Sequence, residues 1–314
     1  MDTLYLVIPC YNEQEVIKET TSRLTKKLLS LMESGSISVQ SRIMFVDDGS
    51  RDSTWHIIRE LHEKNPLVIG LKLSHNRGHQ NALLAGLMTA RENSDFVISM
   101  DADLQDDIEV LSQFVECYKD GCDIVYGVRK RRKKDTFMKR STAQGFYRLM
   151  KMLGVDVVYN HADYRLMSRR ALDALSEYKE VNLFLRGIVP LLGYKSDIVY
   201  YERSERFAGE SKYPLKKMIG FAFDGITSFS IKPIRIISAL GVLISLFSVF
   251  GLIYALISYC LGVAVAGWTA IVASIWLIGG IQMLSLGVCG EYIGKIYSEV
   301  KARPRFNIEE YLKK

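Results

Sequence analysis

The chain has 314 residues, of which 24% are charged and 48% hydrophobic, and its formal net charge at pH 7 is +6. The five cysteines form no C-x-x-C pair and the five histidines show no zinc-type spacing, which argues against a disulfide framework and a structural zinc site. The basic excess indicates an anionic partner. Nucleic acid is one class, but lipid headgroups or a lipid phosphate are favoured beside an apolar segment.

Apolar runs alternate with helical patterns over the first two thirds of the chain. Strands are predicted at 3–9, 42–46, 68–73, 96–100, 123–127 and 198–201, and helices at about 13–32, 53–65, 78–90, 108–118, 137–153, 170–178 and 182–192. Strands that alternate with helices favour an α/β fold with a doubly wound, mainly parallel sheet.

Polar clusters follow three of these predicted strands. They are Tyr11-Asn12-Glu13, Asp47-Asp48-Gly49-Ser50 and Asp101-Ala102-Asp103. Because loops at the carboxyl edge of one sheet converge, the three clusters predict one nucleotide site. The absence of G-x-x-x-x-G-K-S/T and G-x-G-x-x-G argues against an NTPase or a dinucleotide enzyme, so a diphosphate would need a metal and basic side chains. Taken alone, the pair Asp101 and Asp103 fits a solvated acidic turn equally well.

A long uncharged block lies near the end of the chain. No Asp, Glu, Lys, Arg or His occurs from Ile236 to Gly290. About 20 apolar residues span a bilayer, so the block predicts a transmembrane hairpin that divides near 262–267. Basic residues flank both outer ends, which predicts that both lie in the cytoplasm. No signal peptide is expected at the N-terminus.

These patterns predict four regions. They are a cytoplasmic catalytic domain over 1–211, an amphipathic interfacial helix over 212–233, two transmembrane helices over 234–292 and a cytoplasmic tail over 293–314.

An ordered set of motifs carries a family resemblance. The motifs are Pro9-x-Tyr11-Asn12-Glu13, Asp47-Asp48-Gly49-Ser50, Asp101-Ala-Asp103-Leu-Gln105 and Arg206-x-x-Gly209-x-Ser211-Lys212. In this order, ahead of a membrane hairpin, they resemble the family 2 glycosyltransferases of the GT-A fold. The likeness is closer to the polyprenyl-phosphate hexosyltransferases, which include dolichyl-phosphate mannose synthase and the bacterial bactoprenol glucosyltransferases. It covers nearly the whole chain.

Two features depart from the family pattern. Asp107-Ile108 stands where the family often has Pro-Pro, which puts the rigidity of that loop in doubt. The Gln-x-x-Arg-Trp motif of processive polysaccharide synthases is absent, which favours transfer of one sugar per acceptor.

The resemblance implies a role for each matching residue. Nucleotide-sugar contacts fall on Pro9, Tyr11, Glu13, Asp48 and Asp101, and a Mg²⁺ or Mn²⁺ site falls on Asp101, Asp103 and Gln105. Acceptor-phosphate contacts fall on Arg129, Arg206, Ser211 and Lys212, and the catalytic set is Asp103, Asp163 and Arg206. Asp163 is the candidate general base or sugar-positioning acid, and a helix or turn cap is its alternative. A solvated surface charge is the alternative for both arginines.

The implied reaction is inverting transfer of a hexose from a UDP-sugar to undecaprenyl phosphate. It takes place at the cytoplasmic face of a bacterial plasma membrane, on a multi-pass protein, and gives a lipid-linked sugar for cell-surface glycan modification. Glucose is expected from the likeness, while N-acetylglucosamine, galactose and mannose stay open. Expected partners are the donor, the lipid acceptor, the membrane and further copies of the chain, with a tetramer implied by the family and no nucleic acid.

Two hypotheses come from other classes. One is a membrane-tethered nucleotide-sugar-binding scaffold without turnover. The other is a transporter subunit, which two spans without an intramembrane charge do not favour.

Overall fold

The structure, a computed structural model, describes residues 1–130, 161–181, 184–202, 232–261 and 267–313. The described residues fall into two compact units. The sheet unit holds everything up to residue 202 together with residues from 302 onward, and the helical unit holds the residues from 232 to 301.

The sheet unit is built on one mixed sheet of eight strands, in the order β7-β5-β6-β4-β1-β2-β3-β8. The strands are β1 Leu4–Cys10, β2 Arg42–Asp47, β3 Val68–Leu73, β4 Phe96–Ser99, β5 Ile124–Arg129, β6 His161–Ser168, β7 Ser196–Tyr201 and β8 Ile308–Leu312. The helices of this unit are α1 Ile17–Glu33, α2 Thr54–Lys64, α3 His79–Arg91, α4 Leu111–Lys119, α5 Arg169–Ser176 and α6 Leu185–Leu191, and a 3-10 turn covers Ile108–Val110.

The predicted parallel core is present. Strands β1, β2, β3 and β4 pair in parallel, as do β5 and β7, so the carboxyl ends of β1, β2 and β4 lie at one edge. Their residues are almost all buried because helices cover the sheet. Helix α3 packs very close to β1 and β2 at Gly86, where an added Cβ would lie 2.5 Å from Val7 Cγ1 and 2.7 Å from Val46 Cγ2.

Two strands were not predicted, and both are antiparallel to a neighbour. Strand β6 lies between β4 and β5, so the sheet is mixed on this side rather than wholly parallel. Strand β8 pairs with β3 at the other edge. The residues expected in a C-terminal tail over 293–314 therefore first continue a helix to Lys301 and then return to the sheet as β8.

The helical unit contains α7 Lys232–Cys260 and α8 Trp268–Lys301. Large apolar side chains on both helices are exposed, including Phe247 and Phe250 on α7 and Leu284 on α8. Within the part of the chain that the structure describes, one segment, Leu277–Lys301, is long and apolar enough to cross a membrane by length and composition. The two-span hairpin predicted for 234–292 is therefore not confirmed. The predicted helix at 137–153 and the amphipathic helix at 212–233, apart from its last two residues, lie outside the described residues.

Candidate active site

The loop after β2 is organised around the buried carboxylate of Asp48. This side chain is 3% exposed and accepts the backbone N–H of Arg77 at 2.7 Å and that of Gly78 at 2.9 Å. Burial raises the pKa of Asp48, and the two backbone donors oppose that rise. Asp48 thus fixes the segment that leads into α3. Both of its oxygens are engaged by the backbone, so Asp48 is placed to shape this loop rather than to contact a ligand directly.

Gly49 makes this close approach possible. Its φ is +66°, and an added Cβ would lie 2.7 Å from the backbone nitrogen of Asn76. An L side chain at this position meets both a left-handed backbone and a collision with main-chain atoms. The glycine of the Asp-Asp-Gly-Ser cluster is therefore required by the geometry of the loop.

The loop after β1 is joined to the loop after β2 by side chains. The N–H of Asn12 donates to Ser50 Oγ, and Asn12 Oδ1 accepts the N–H of Arg51, both at 2.9 Å. The N–H of Glu13 donates to Thr54 Oγ1 at 2.9 Å. Two of the three predicted clusters therefore meet. Pro9 is buried inside β1, and Tyr11 is half-buried at the strand end.

The third cluster places carboxylates at the end of β4. Asp103 and Asp106 are 8% and 3% exposed, while the Asp101 side chain is 36% exposed. Leu104 has a φ of +57°, a left-handed turn that lets Asp103 Oδ1 accept the N–H of Gln105 at 3.2 Å. Although its side chain is partly exposed, Asp101 loses part of its hydration at the strand end, which raises its pKa to about 6. His79 opposes this rise, and the charges of Asp106, Asp163 and Asp103 add to it.

This acidic cluster suits a hard divalent cation. Mutual repulsion of carboxylates is relieved when a cation binds, and Asp106 Oδ2 is buried without a hydrogen-bond partner among the described residues. The described ranges contain no group of three His, Cys, Asp or Glu side chains arranged as a complete metal cage. Mg²⁺ is commonly held by one or two carboxylates together with substrate phosphates and water. Asp101 and Asp103 would hold the cation here, with Gln105 beside them.

Arg129 belongs to the same cluster through Tyr201. The Tyr201 hydroxyl donates to Asp106 Oδ1 at 2.6 Å, and Arg129 Nε donates to the Tyr201 oxygen at 3.1 Å. Arg129 Nη2 also lies 3.7 Å from Asp106 Oδ1. Strands β5 and β7 set this contact because Arg129 and Tyr201 are register partners. The arginine that the resemblance assigns to an acceptor phosphate is thus linked to the acidic strand end.

Asp163 lies on β6 and is surrounded by nitrogen donors. Its Oδ1 accepts from Arg165 Nη2 at 2.7 Å and from Arg186 Nε at 3.2 Å, and its Oδ2 accepts from Arg186 Nη2 at 3.0 Å. His79 Nε2 lies 3.3 Å from Oδ2. Burial acts to raise the pKa of Asp163, but the bond to His79 and the two arginines outweigh it and hold that pKa well below the usual value.

A carboxylate with this environment is a weak proton acceptor. Both oxygens of Asp163 are occupied, and its low pKa opposes proton uptake near neutral pH. The geometry therefore disfavours the general-base interpretation of Asp163 and favours a role in positioning the cations around it.

Sequence reasoning missed His79 and Arg186. His79 is the first residue of α3, so its place at the carboxyl edge of the sheet follows from the predicted strand-to-helix order. Arg186 carries no such signal, because α6 is brought to the site by tertiary packing. The N–H of Leu185 at the start of α6 donates to Gln80 Oε1 at 2.9 Å.

Three predicted site residues lie outside the described residues. They are Arg206, Ser211 and Lys212.

The comparisons with known proteins agree with this architecture. The family model described as "Glycosyl transferase family 2" matches residues 5–176, which is more than half of the chain. The chain belongs to glycosyltransferase family 2. The match covers the strands that carry the acidic cluster and Asp163, and the mixed α/β sheet agrees with the GT-A fold that the resemblance implied.

Curated relatives of this family 2 glycosyltransferase extend over nearly its full length. An uncharacterized glycosyltransferase of Bacillus subtilis (strain 168), YkoT, is 55% identical over 98% of this chain and 91% of its own. A prophage bactoprenol glucosyl transferase homolog of Escherichia coli (strain K12) is 40% identical over 98% and 99% of the two chains. The bactoprenol glucosyl transferase of Shigella phage SfII is 38% identical over 97% of each.

Solved structures are more distant from this glycosyltransferase. Glucosyl-3-phosphoglycerate synthase from Mycobacterium tuberculosis, solved with Mn²⁺, UDP and phosphoglyceric acid, is 17% identical, with a TM-score of 0.45 over 72% of this chain and 76% of that one. S. aureus TarS 1-349 is 16% identical, with a TM-score of 0.43 over 64% and 60%. Likenesses at this distance do not bear on substrate or metal.

Proposed function

We propose that this glycosyltransferase transfers one hexose, glucose in the first instance, from a UDP-sugar to a polyprenyl phosphate with inversion at the anomeric carbon. The observation that carries the proposal is the acidic strand end of Asp101, Asp103 and Asp106 joined to Arg129 through Tyr201. In this proposal the acidic side chains bind the cation, and Arg129 beside them contacts the acceptor phosphate. The relatives named bactoprenol glucosyl transferase support the choice of sugar and acceptor.

The chemistry needs little base catalysis. A phosphate monoester has a second pKa of about 6, so its oxygen is already a competent nucleophile near neutral pH. That oxygen attacks the anomeric carbon as the bond to the UDP oxygen breaks, and no proton has to move. The engaged, strongly acidic Asp163 fits this scheme. Catalysis then depends on positioning and on stabilising the departing diphosphate.

Different residues of the site bind the cation, the nucleotide and the phosphate groups in this proposal. Asp101 and Asp103 would hold Mg²⁺ or Mn²⁺, which neutralises diphosphate charge when bound. The Asp48 loop shapes the wall of the nucleotide pocket, and Arg129 lies next to Asp106 at the acceptor side. Arg206, Ser211 and Lys212 complete the phosphate contacts in this proposal, which for those residues rests on the motif alone.

Membrane attachment gives the enzyme access to a lipid acceptor. The proposal assigns this to α8, whose Leu277–Lys301 segment is long and apolar enough to span, with the apolar α7 as a second span. Both ends of this hairpin and the catalytic sheet would lie in the cytoplasm of a bacterial cell. A homo-oligomer, a tetramer by family likeness, is part of the same proposal.

A donor panel with undecaprenyl phosphate tests the function. The full chain in detergent is incubated with Mn²⁺ and each of UDP-glucose, UDP-N-acetylglucosamine, UDP-galactose and GDP-mannose, and the lipid product is identified by mass. We expect one hexosyl phosphate product. Asp103→Ala should abolish it, while Asp107→Asn should not, because Asn keeps the cap on the N–H of Glu109 that Asp107 now provides.

Two outcomes would contradict the proposal. Donor binding without any turnover would favour the scaffold hypothesis, and normal turnover of Asp103→Ala would remove the metal assignment.

A further inference from the structure

The cluster around Asp163, formed with Arg165, Arg186 and His79, carries more positive than negative charge. Two guanidinium groups, those of Arg165 and Arg186, contact the single carboxylate of Asp163, which leaves one net positive charge before His79 is counted. Arg165 is 1% exposed and Asp163 is 7% exposed, so neither can reach a ligand directly. The accessible groups of this cluster are therefore hydrogen-bond donors, the guanidinium of Arg186 and the imidazole of His79, rather than the acid.

Arg186 and His79 are the members that reach solvent. Their side chains are 41% and 37% exposed, and both point to the same buried carboxylate. Asp163 binds Arg186 through two nitrogens, at 3.2 and 3.0 Å, so the guanidinium is held in one orientation. A guanidinium held in this way is suited to a phosphate, since little side-chain entropy remains to be lost on binding.

The cluster adjoins the proposed cation site. His79 Nε2 lies 3.8 Å from Asp101 Oδ1, close enough for charge interaction but beyond hydrogen-bond distance. His79 Nε2 lies closer to Asp163 Oδ2, at 3.3 Å, than to Asp101, so the imidazole faces Asp163 and leaves Asp101 available to a cation. The charge of Asp101 opposes an anion beside His79, so phosphate binding here should strengthen when a divalent cation neutralises that carboxylate.

We infer that Arg186 and His79 form a phosphate-binding subsite, oriented by Asp163 and adjacent to Asp101. This subsite adds ligand-binding residues to the proposed function and rests on that function for the identity of the two phosphates involved. The ligand is a phosphate group, either the monoester of the lipid acceptor or the diphosphate of the donor. Arg186 and His79 are thus ligand-binding residues, and Asp163 is a positioning residue that acts through them.

Binding measurements on the full chain separate the two sources. Isothermal titration with UDP in the presence of Mn²⁺ reports the diphosphate, and titration with farnesyl phosphate, a short prenyl monoester, reports the acceptor. We expect Arg186→Gln to weaken the binding of either UDP or farnesyl phosphate by about 10- to 100-fold, which is the range for losing a charged hydrogen-bond donor. His79→Gln, which keeps an N–H donor but not the imidazole, should weaken the same probe by a smaller factor.

A matched control removes an arginine elsewhere. Arg23→Gln deletes a guanidinium that pairs with Glu19 on α1 and is 50% exposed, and both affinities should stay within twofold of the wild type. Thermal midpoints of all variants are measured in parallel.

The result that overturns the subsite is an Arg186→Gln variant with both affinities within twofold of the wild type, whatever its thermal midpoint. In that case the arginine only holds Asp163. Weakened UDP binding alone assigns the subsite to the donor, and weakened farnesyl phosphate binding alone assigns it to the acceptor. A wild-type enzyme that binds both probes but transfers no hexose to any polyprenyl phosphate would contradict the proposed function and leave the subsite standing, because the titrations need no turnover.

Discussion

Arg165 donates from Nη2 to Asp163 Oδ1 at 2.7 Å, from a position two residues away on the same strand. Alternate residues of a strand face the same side, so β6 brings the two side chains together on one face. Both are buried, and Arg165 also donates to the carbonyl of Leu185 at 3.3 Å. The pair therefore connects β6 to α6 and sets where Arg186 can sit.

Asp163→Asn should destabilise the protein strongly. The variant leaves Arg165 buried without its counter-charge, and removing one partner of a buried pair costs about 3–5 kcal/mol. The thermal midpoint of the detergent-solubilised chain measures this. Asp173→Asn is the control, because Asp173 pairs loosely with Arg91 at 3.7 Å and its side chain is 59% exposed. Its effect should stay within about 0.5 kcal/mol. Equal midpoints for the two variants would contradict the buried-pair interpretation.

The ionised carboxylate of Asp163 also makes the stability of the protein depend on pH in the acid range. Its folded pKa lies below the unfolded value of about 3.9, so its stabilisation is complete above that pH and is lost as the pH falls through the folded pKa. Between pH 5 and pH 8 Asp163 itself stays ionised, but its contact raises the pKa of His79, so the stability difference between wild type and Asp163→Asn should grow as the pH falls through this range. A difference that shrinks already between pH 7 and pH 5 would show that Asp163 gains a proton in that window.

Gly49→Ala should damage both stability and donor binding. The left-handed φ of +66° and the 2.7 Å approach to the nitrogen of Asn76 together force the loop to move, at about 2–4 kcal/mol. Gly35→Ala is a matched control, because its φ is +67° but the nearest atom to an added Cβ is the flexible Met1 side chain at 3.2 Å. It should cost about 1 kcal/mol and leave UDP affinity unchanged. If Gly35→Ala weakens UDP binding as much as Gly49→Ala, the loop geometry is not the cause.

Much of the sheet could be predicted from the sequence because its signals are local. Apolar runs such as 68–73, which is β3 to the residue, need no tertiary information. The acidic strand end was also predictable, since Asp101 and Asp103 directly follow the apolar run of β4.

The missed features depend on contacts between distant parts of the chain. Strand β6 carries the charged residues Asp163 and Arg165 at alternate positions, and they can face the interior only because they form a buried ion pair that the sequence does not reveal. Strand β8 follows a long helix, and only its pairing with β3 in the folded structure identifies it as a strand. Arg186 contacts Asp163 although the two residues are 23 positions apart in the sequence, and no repeating pattern of residues predicts that contact.

Tyr201→Phe should loosen the acidic loop. The change removes the donor to Asp106 Oδ1 and leaves a buried carboxylate whose other oxygen already has no partner among the described residues. We expect a loss of about 1–3 kcal/mol in stability and a lower kcat, because Asp106 and Arg129 are no longer joined. Tyr200→Phe, at a side chain 56% exposed on the same strand, is the control and should change neither. Unchanged turnover of Tyr201→Phe would show that the link to Arg129 does not matter for transfer.

Glu310→Gln should weaken the attachment of the C-terminal strand. Glu310 on β8 accepts from Trp55 Nε1 at 3.1 Å and from Arg59 Nη2 at 2.7 Å, which ties the strand to α2. Loss of the charge should cost about 1 kcal/mol because the Trp55 side chain is nearly buried. The neighbouring Glu309 is 50% exposed and pairs with Lys72, so Glu309→Gln should have an effect near zero. Hydrogen exchange of β8 amides measures the difference, and equal protection in the two variants would mean that pairing with β3, rather than the Glu310 contacts, holds the strand in place.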